Sequence, residues 1–542
     1  MVTTPEESDS SSTASSDDAG AGPRQWLPDA ATRSQSSYQR PEGWQAPGAA
    51  LVASAATEQI PAAEDLGRVH IMGIAGAGMS GLARIMLDRG LDVSGSEGRD
   101  SVTVTALRAL GIPVTIGHPL SLLDDTDTLV YTTAINPRHE MLAAARSRGL
   151  RVIRRATGLA AMITGKRAVA IAGTHGKTTT TSLLTVAAQA CGLDPSFAIG
   201  GNLYESGLNA HAGSGELFIV EADESDGSFL LLRPELAIVT NVEADHLENH
   251  GDLEGVFRAF ELFVDRIDRS SPSGGLLLAC ADDAGARRIA DYARAQGVPV
   301  RTYGTADDAD VRVGDIIEHP DSVEFTVRLA SGRSHRLRIG SLLGRHMALN
   351  AAAAFAVAVE LGFDPYRVEQ IWREFQGVHR RFEFHGEAGG VRVYDDYAHH
   401  PTEVRAALSA ARSIIGEHAA PDGGRGRLVA IFQPGTFSRT QTFAQEFAEA
   451  LAIADVAVVM DIFPAREEPI PGVTGALIAE RIPLPADRLV YEPRWSDTAG
   501  RVAALSRAGD VVMTMGIGDV HLLCAEILAL LGDGQPGTGG EQ

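Results

Sequence analysis

Of 542 residues only three are cysteine, Cys191, Cys280 and Cys524, and they stand far apart in the chain. That excludes a disulfide framework and a CxxC metal site, and it suits a reducing compartment. Long apolar runs are also missing. No stretch approaches the roughly 18 uninterrupted apolar residues of a membrane span, so no stable membrane insertion is expected. Positive charge is scarce, with 47 Lys and Arg against 70 Asp and Glu and a formal net charge of -23. A nucleic-acid surface needs clustered Lys and Arg, so this balance argues against a nucleic-acid partner, although an acidic protein can still grip phosphates locally. The opening residues lack the basic-then-apolar pattern of a secretory signal and carry Glu6, Glu7, Asp9 and a serine cluster instead, which makes a cytoplasmic location the expectation. The sequence carries no signal of oligomeric state.

What is present is ordinary globular composition, 44% hydrophobic and 22% charged, at a length that suits about three domains. Residues 1–65 are rich in Ser, Asp, Ala, Gly and Pro and read as a disordered acidic tail. From Arg68 onward short β-branched runs alternate with helical stretches, the pattern of an α/β fold built on parallel sheets. Strands are expected at 69–74, 92–94 and 128–132, with helices from Met79 and Val102, giving a Rossmann-like N-terminal domain over 66–165. A second series, with strands at 168–172, 217–220 and 237–242, gives a central P-loop ATPase domain over 166–377. Its sheet should be mostly parallel, with a hairpin at 322–337 turning at Ser331-Gly332 and a helix over 347–361. A third series, at 391–394, 428–432, 456–460 and 511–515, gives a Rossmann-like C-terminal domain over 378–533, followed by a flexible end at 534–542.

Two glycine loops carry the first chemistry. Gly73 opens a stretch in which Gly76, Gly78 and Gly81 fit GxGxxG between a strand and a helix. Glycines there let backbone N–H groups approach a diphosphate at a helix N-terminus. Glu97 follows at the distance expected of a ribose-binding carboxylate, so the motif alone fits NAD as well as a UDP-sugar, and close helix packing would also explain the glycines. The second loop, Gly173-Thr174-His175-Gly176-Lys177-Thr178-Thr179, follows an apolar strand and opens a helix. Its amides can wrap ATP phosphates, Lys177 can neutralise them, and Thr178 can offer a hydroxyl to Mg2+. It departs from the eight-residue P-loop pattern, with Ile171 where the first Gly would stand.

Glu221-Ala222-Asp223-Glu224-Ser225-Asp226 comes directly after a strand, where a carboxylate can hold Mg2+; Glu221 is the chosen ligand, and a solvated charge run is the alternative. His246 ends the next strand's loop and can reach the same nucleotide.

Together these stretches resemble the Mur ligase family. The likeness rests on GMSGLA from Gly78, AGTHGKTTT from Ala172, EADESDGSF from Glu221, NVEADHLENHGD from Asn241, RRFE from Arg380 and DDYAHHPTEV from Asp395, in that order, and it runs from about Arg68 to Gly532. The resemblance implies a first domain binding a UDP-sugar through Gly73, Gly76, Gly78, Met79, Ser80 and Glu97, with Arg380 and Arg381 contributing. It implies a central domain binding ATP through Gly173 to Thr179 and Asn350, with one Mg2+ on Thr178 and Glu221 and a second on His246. His399, His400 and Arg439 would serve the incoming amino acid, with Arg439 on its carboxylate and either histidine taking the amine proton. The implied reaction is peptidoglycan-precursor synthesis by ligation of L-alanine to UDP-N-acetylmuramate through an acyl phosphate.

Some family members carry a carbamoylated lysine after the DH motif; here Glu261 falls near that position. Three further departures from the pattern stand out: Met347 stands where Asn is usual, Gly435-Thr436 replace a bulky or basic pair, and Ile517 replaces a smaller residue. A ligase that recycles intact tripeptide onto UDP-N-acetylmuramate, an NAD-binding oxidoreductase, and a non-catalytic nucleotide-binding regulator are the alternatives.

Overall fold

The computed structural model describes residues 49–132, 135–271, 274–415, 425–465 and 467–533, so most of the expected tail and the end from 534 lie outside the described residues. Three sheets follow one another. The first runs in the order Val114–Ile116, Val93–Glu97, Val69–Met72, Thr128–Tyr131, Arg151–Arg154, all neighbours parallel. The chain moves outward in opposite directions from Val69–Met72, so the loop after that strand sits at the topological switch point, where α/β sheets bind ligands.

In the ten-stranded central sheet, Arg167–Ala172 lies between Leu217–Glu221 and Leu236–Val239, parallel to both. The ends of these three strands therefore open side by side, bringing together Lys177 at the start of the following helix, Glu221 at its strand's last position and His246 in the loop after Leu236–Val239. All but the first residue of Arg167–Ala172 are buried, as expected of a strand covered on both faces. Ser322–Arg328 pairs antiparallel with Ser334–Gly340, as the alternation in sequence suggests, and Val311–His319 joins them at the sheet edge. The third sheet has the order Glu383–Ala388, Val391–Asp396, Val511–Met515, Leu428–Phe432, Val456–Met460, Leu489–Glu492, parallel except at its first edge.

The expected tail ends earlier than residue 65. Ala49–Thr57 is a helix and Ala63–Leu66 a short 3-10 turn. The helix docks against Ser228–Leu231 and Leu247–His250; Ala55 and Leu66 are buried. Val52 approaches so closely that a Cβ on Gly227 would lie 2.9 Å from its Cα. Tertiary burial orders a segment whose own composition would not. Strands at Val114–Ile116, Arg151–Arg154 and Glu383–Ala388 were missed by pattern because they are short, at sheet edges, and largely polar or exposed on one face.

Helix Lys177–Ala190 is buried along nearly its whole length despite a run of hydroxyl residues. The hydroxyls of Thr180, Thr181, Ser182 and Thr185 each donate to the carbonyl four residues earlier, at 2.8–2.9 Å, so the polar groups enter the core satisfied. Helix Arg345–Glu360 packs against it, and Trp372 Nε1 donates to Leu183 O at 3.0 Å near its middle.

Candidate active site

The second glycine loop is shaped by two glycines that tolerate no side chain. At Gly173, φ is +136° and a Cβ would meet Thr240 Oγ1 at 1.9 Å; at Gly176, φ is +84° and a Cβ would meet Asn350 Oδ1 at 2.5 Å. Asn350 thus abuts the loop as the sequence suggests, while Met347, one turn earlier, is buried beside it with its sulfur 3.9 Å from Asn350 Nδ2. Strand-end residues that motif reading did not single out brace the loop. The Thr174 N–H donates to Asn241 O at 3.0 Å, the His175 N–H to Asn241 Oδ1 at 2.8 Å, and Thr240 Oγ1 to His175 O at 2.6 Å. Thr179 is buried at the start of the helix.

Lys177 Nζ folds back onto the loop, donating to Gly173 O at 2.6 Å and to Glu224 Oε2 at 2.7 Å. Burial opposes its charge, but the carboxylates of Glu224, Asp223 and Glu221 outweigh that and push its pKa up to about 12. Burial in turn raises Glu224. Thr178 Oγ1 donates to Glu221 Oε1 at 3.1 Å, and Glu221 Oε2 accepts the Gly200 N–H at 2.7 Å. A hydroxyl and a carboxylate at that spacing, beside a glycine cradle, are the hard oxygen donors that Mg2+ accepts together with phosphate oxygens. His246, in the left-handed region at φ 49°, lies among Asp245 and Glu248, with Nδ1 3.2 Å from Glu248 Oε1. Burial disfavours its charge, yet Asp245 and Glu248 raise its pKa to about 9. Glu261, near the carbamoyl-lysine position, faces Arg288 at 3.9 Å.

The third domain reaches into this cluster. Arg381 Nη2 donates to Thr178 Oγ1 at 3.3 Å. Arg439 donates to Asp245 Oδ1 at 2.7 Å through Nη2 and at 3.3 Å through Nε, and both side chains are 8% exposed. His399 Nδ1 lies 2.9 Å from Tyr397 O. Burial drives both His399 and His400 down to about 4, so both rings are neutral at neutral pH. Arg380, expected at the UDP-sugar, is spent on the third domain's own frame: it pairs with Asp395 at 3.0 Å and donates to the carbonyls of Gly516 and Gly518 at 2.7 and 2.8 Å.

In the first loop Gly73 is left-handed at φ +74°, and a Cβ on Gly76 would make ordinary contact with Gly73 O at 3.6 Å and Met79 Cγ at 3.8 Å. A Cβ on Gly78 would meet Arg155 Nη1 at 3.0 Å, and one on Gly81 would meet Ala210 of the central domain at 2.9 Å, so these two glycines allow close packing. Met79 and Ser80 are buried, and the Ser80 hydroxyl donates to Ala77 O at 3.0 Å. Glu97 accepts the Ala75 N–H at 2.9 Å and so tightens the loop itself.

Gly435 and Ile517, two of the departures, meet. A Cβ on Gly435 would lie 2.6 Å from Ile517 Cδ1, so the larger residue fills the space the smaller one leaves.

Family models match residues 68–167 (Mur ligase family, catalytic domain), 171–358 (Mur ligase middle domain) and 380–518 (Mur ligase, glutamate ligase domain). A UDP-N-acetylmuramate--L-alanine ligase of Saccharopolyspora erythraea is 52% identical over 86% of this chain and 93% of its own length. Another of that name, from Thermobifida fusca, is 49% identical over 86% of this chain and 98% of its own. The crystal structure of the UDP-N-acetylmuramate-alanine ligase of Thermotoga maritima superposes with a TM-score of 0.69 at 26% identity, covering 85% of this chain and 98% of that one.

Proposed function

The chain belongs to the Mur ligase family, and from that membership and the site's geometry we propose that it uses ATP to join L-alanine to the carboxylate of UDP-N-acetylmuramate. The observation that carries this reading is the convergence on Thr178, which Glu221 meets from its own domain and Arg381 from the third. A phosphate site shared by two domains suits a reaction that activates one substrate and delivers another.

A free carboxylate is a poor acyl donor. Its oxygen attacks the γ-phosphorus of ATP, ADP leaves, and an acyl phosphate results; the amine nitrogen of alanine then attacks the acyl carbon and inorganic phosphate departs. Lys177 swings from Glu224 to the phosphates and stabilises the charge spreading over them. Thr178 and Glu221 would hold one Mg2+ and His246 a second, and the metal's contribution when bound is to neutralise phosphate charge. One proton must leave the attacking ammonium, and a histidine or carboxylate at the domain junction takes it, with His399 or His400 as the candidate. Arg439 turns from Asp245 toward the amino acid's carboxylate. Gly73 and Gly76 cradle the diphosphate of the UDP-sugar.

The test is phosphate release from ATP, Mg2+ and UDP-N-acetylmuramate with L-alanine, glycine, L-serine or the intact tripeptide supplied separately. Release with L-alanine is the expected result. Release with tripeptide and not with L-alanine would replace this reading with the recycling one.

A further inference from the structure

His175 sits two residues before Lys177, yet its ring leaves the phosphate cradle and faces the third domain. Its Nδ1 is 3.2 Å from Glu403 Oε1, and its Nε2 is 3.6 Å from Glu243 Oε2. Glu403 lies in helix Pro401–Ile415 of the third domain, and its other oxygen accepts the backbone N–H of His399 at 3.0 Å and of His400 at 3.3 Å. Thr402 Oγ1, from the same turn, donates to Glu243 Oε2 at 2.7 Å. The rings of His175 and His400 are 4.7 Å apart. One carboxylate therefore grips an imidazole of the ATP loop with one oxygen and shapes the turn carrying both candidate histidines with the other.

The chemistry of this group is that of a cation between two anions. Nδ1 is within hydrogen-bond reach of Glu403 while Nε2 stands at ion-pair distance from Glu243, and two flanking carboxylates favour the protonated ring. Burial weighs against the charge on His175, but Glu243 and Glu403 prevail and raise its pKa to about 10. Charge-assisted bonds out of solvent are far stronger than an exposed ion pair.

We propose that His175, Glu243 and Glu403 form an interdomain latch by which the ATP loop sets the position of the His399-His400 turn, making Glu243 and Glu403 positioning residues for amine addition. This rests on the ligase reading above. Phosphoryl transfer draws on Lys177, Thr178 and Glu221 of the central domain and on Arg381, which reaches Thr178 from a part of the third domain outside the His399-His400 turn. Amine addition needs the third domain in register, and the latch is the contact that ties its helix to the loop.

The experiment uses the full chain as wild type, Glu243→Gln, Glu403→Gln and the double variant, each checked for an unchanged melting temperature. The acyl phosphate is trapped with hydroxylamine in the absence of alanine, amide formation is followed in its presence, and small-angle scattering is recorded with a non-hydrolysable ATP analogue, Mg2+ and UDP-N-acetylmuramate. The expected result is trapping within about threefold of wild type, amide formation lower by about tenfold or more with a raised KM for alanine, and a larger radius of gyration in the variants. The double variant should be no worse than the poorer single one, because both act through His175. Unchanged alanine KM and unchanged closure in folded variants overturn the latch, and so does an equal loss in both half-reactions. Should the wild type trap nothing and ligate nothing, the ligase reading fails, while the scattering comparison still judges the latch. The ligand atoms of His175, Glu243 and His400 lie within 4.8 Å of one another. Stoichiometric Zn2+ retained by wild type through gel filtration and lost in Glu243→Gln would assign these atoms to a metal instead and overturn the proton-mediated contact.

Discussion

The ammonium of Lys177 rests 2.7 Å from the carboxylate of Glu224, and both groups are withdrawn from solvent, with side chains 13% and 4% exposed. The charge that meets ATP is thus held in place by a buried anion before ATP arrives. Removing one partner of such a pair strands the other. Lys177→Ala should lower turnover by about a hundredfold to a thousandfold and destabilise the chain by about 3–5 kcal/mol. Adding Glu224→Gln in the same chain should recover the stability and none of the activity. Paired melting and turnover measurements decide it; a single variant as stable as wild type would show that the pair holds nothing.

Ile517 and Gly435 share one space, which yields a second expectation. Gly435→Ala brings a methyl within 2.6 Å of Ile517 Cδ1, an overpacking that should cost about 1–3 kcal/mol. Ile517→Ala alone should leave a small void, and the two together should be more stable than the sum of the single effects implies. A double-mutant cycle in chemical denaturation reads the coupling, and strict additivity would mean that the two residues are independent.

Buried histidines should give the fold a stability maximum near neutral pH. Burial lowers His346, His399 and His400 from 6.5 to about 4. The unfolded chain therefore takes up protons that the native state refuses, and stability falls as pH drops from 6.5 toward 4. His175 and His246 are raised to about 10 and about 9 despite burial, because carboxylates flank them. Their contribution is complete below 6.5 and is lost as pH rises through those values. Asp283 and Asp396, raised to about 6 by burial, oppose the acid limb but do not cancel three histidines. Melting temperatures from pH 5 to 9.5 should peak between the limbs; a steady climb toward pH 5 would contradict the assignment.

The helix Ala49–Thr57 braces the segment between the acidic loop and His246. Chains beginning at residue 49 and at residue 59 should differ in stability by about 1–3 kcal/mol, because the shorter one uncovers the face of Ser228–Leu231 and leaves Arg154 without Glu58. The shorter chain should also need more Mg2+ for half-maximal turnover. Equal Mg2+ dependence of the two would limit the helix to a packing role.

The sequence by itself determined the three-domain α/β architecture and picked out the glycine loops. Strand periodicity located Val69–Met72, Arg167–Ala172 and Val511–Met515 because parallel strands buried on both faces read as nearly continuous apolar runs. The glycine loops were legible because Gly173 and Gly176 adopt backbone angles that few other residues can hold. What pattern could not show was partnership across distance. The brace from Asn241, the burial of Glu224 under Lys177, the exchange of volume between Gly435 and Ile517, and the turn of His175 toward Glu403 join residues tens to hundreds of positions apart. A side chain's partner depends on which surfaces meet when domains pack, and local propensity carries no record of that. Charge supplies the reason these partnerships matter: in water the same acids and histidines would interact weakly, and only burial at the junction of the domains makes their pairing strong.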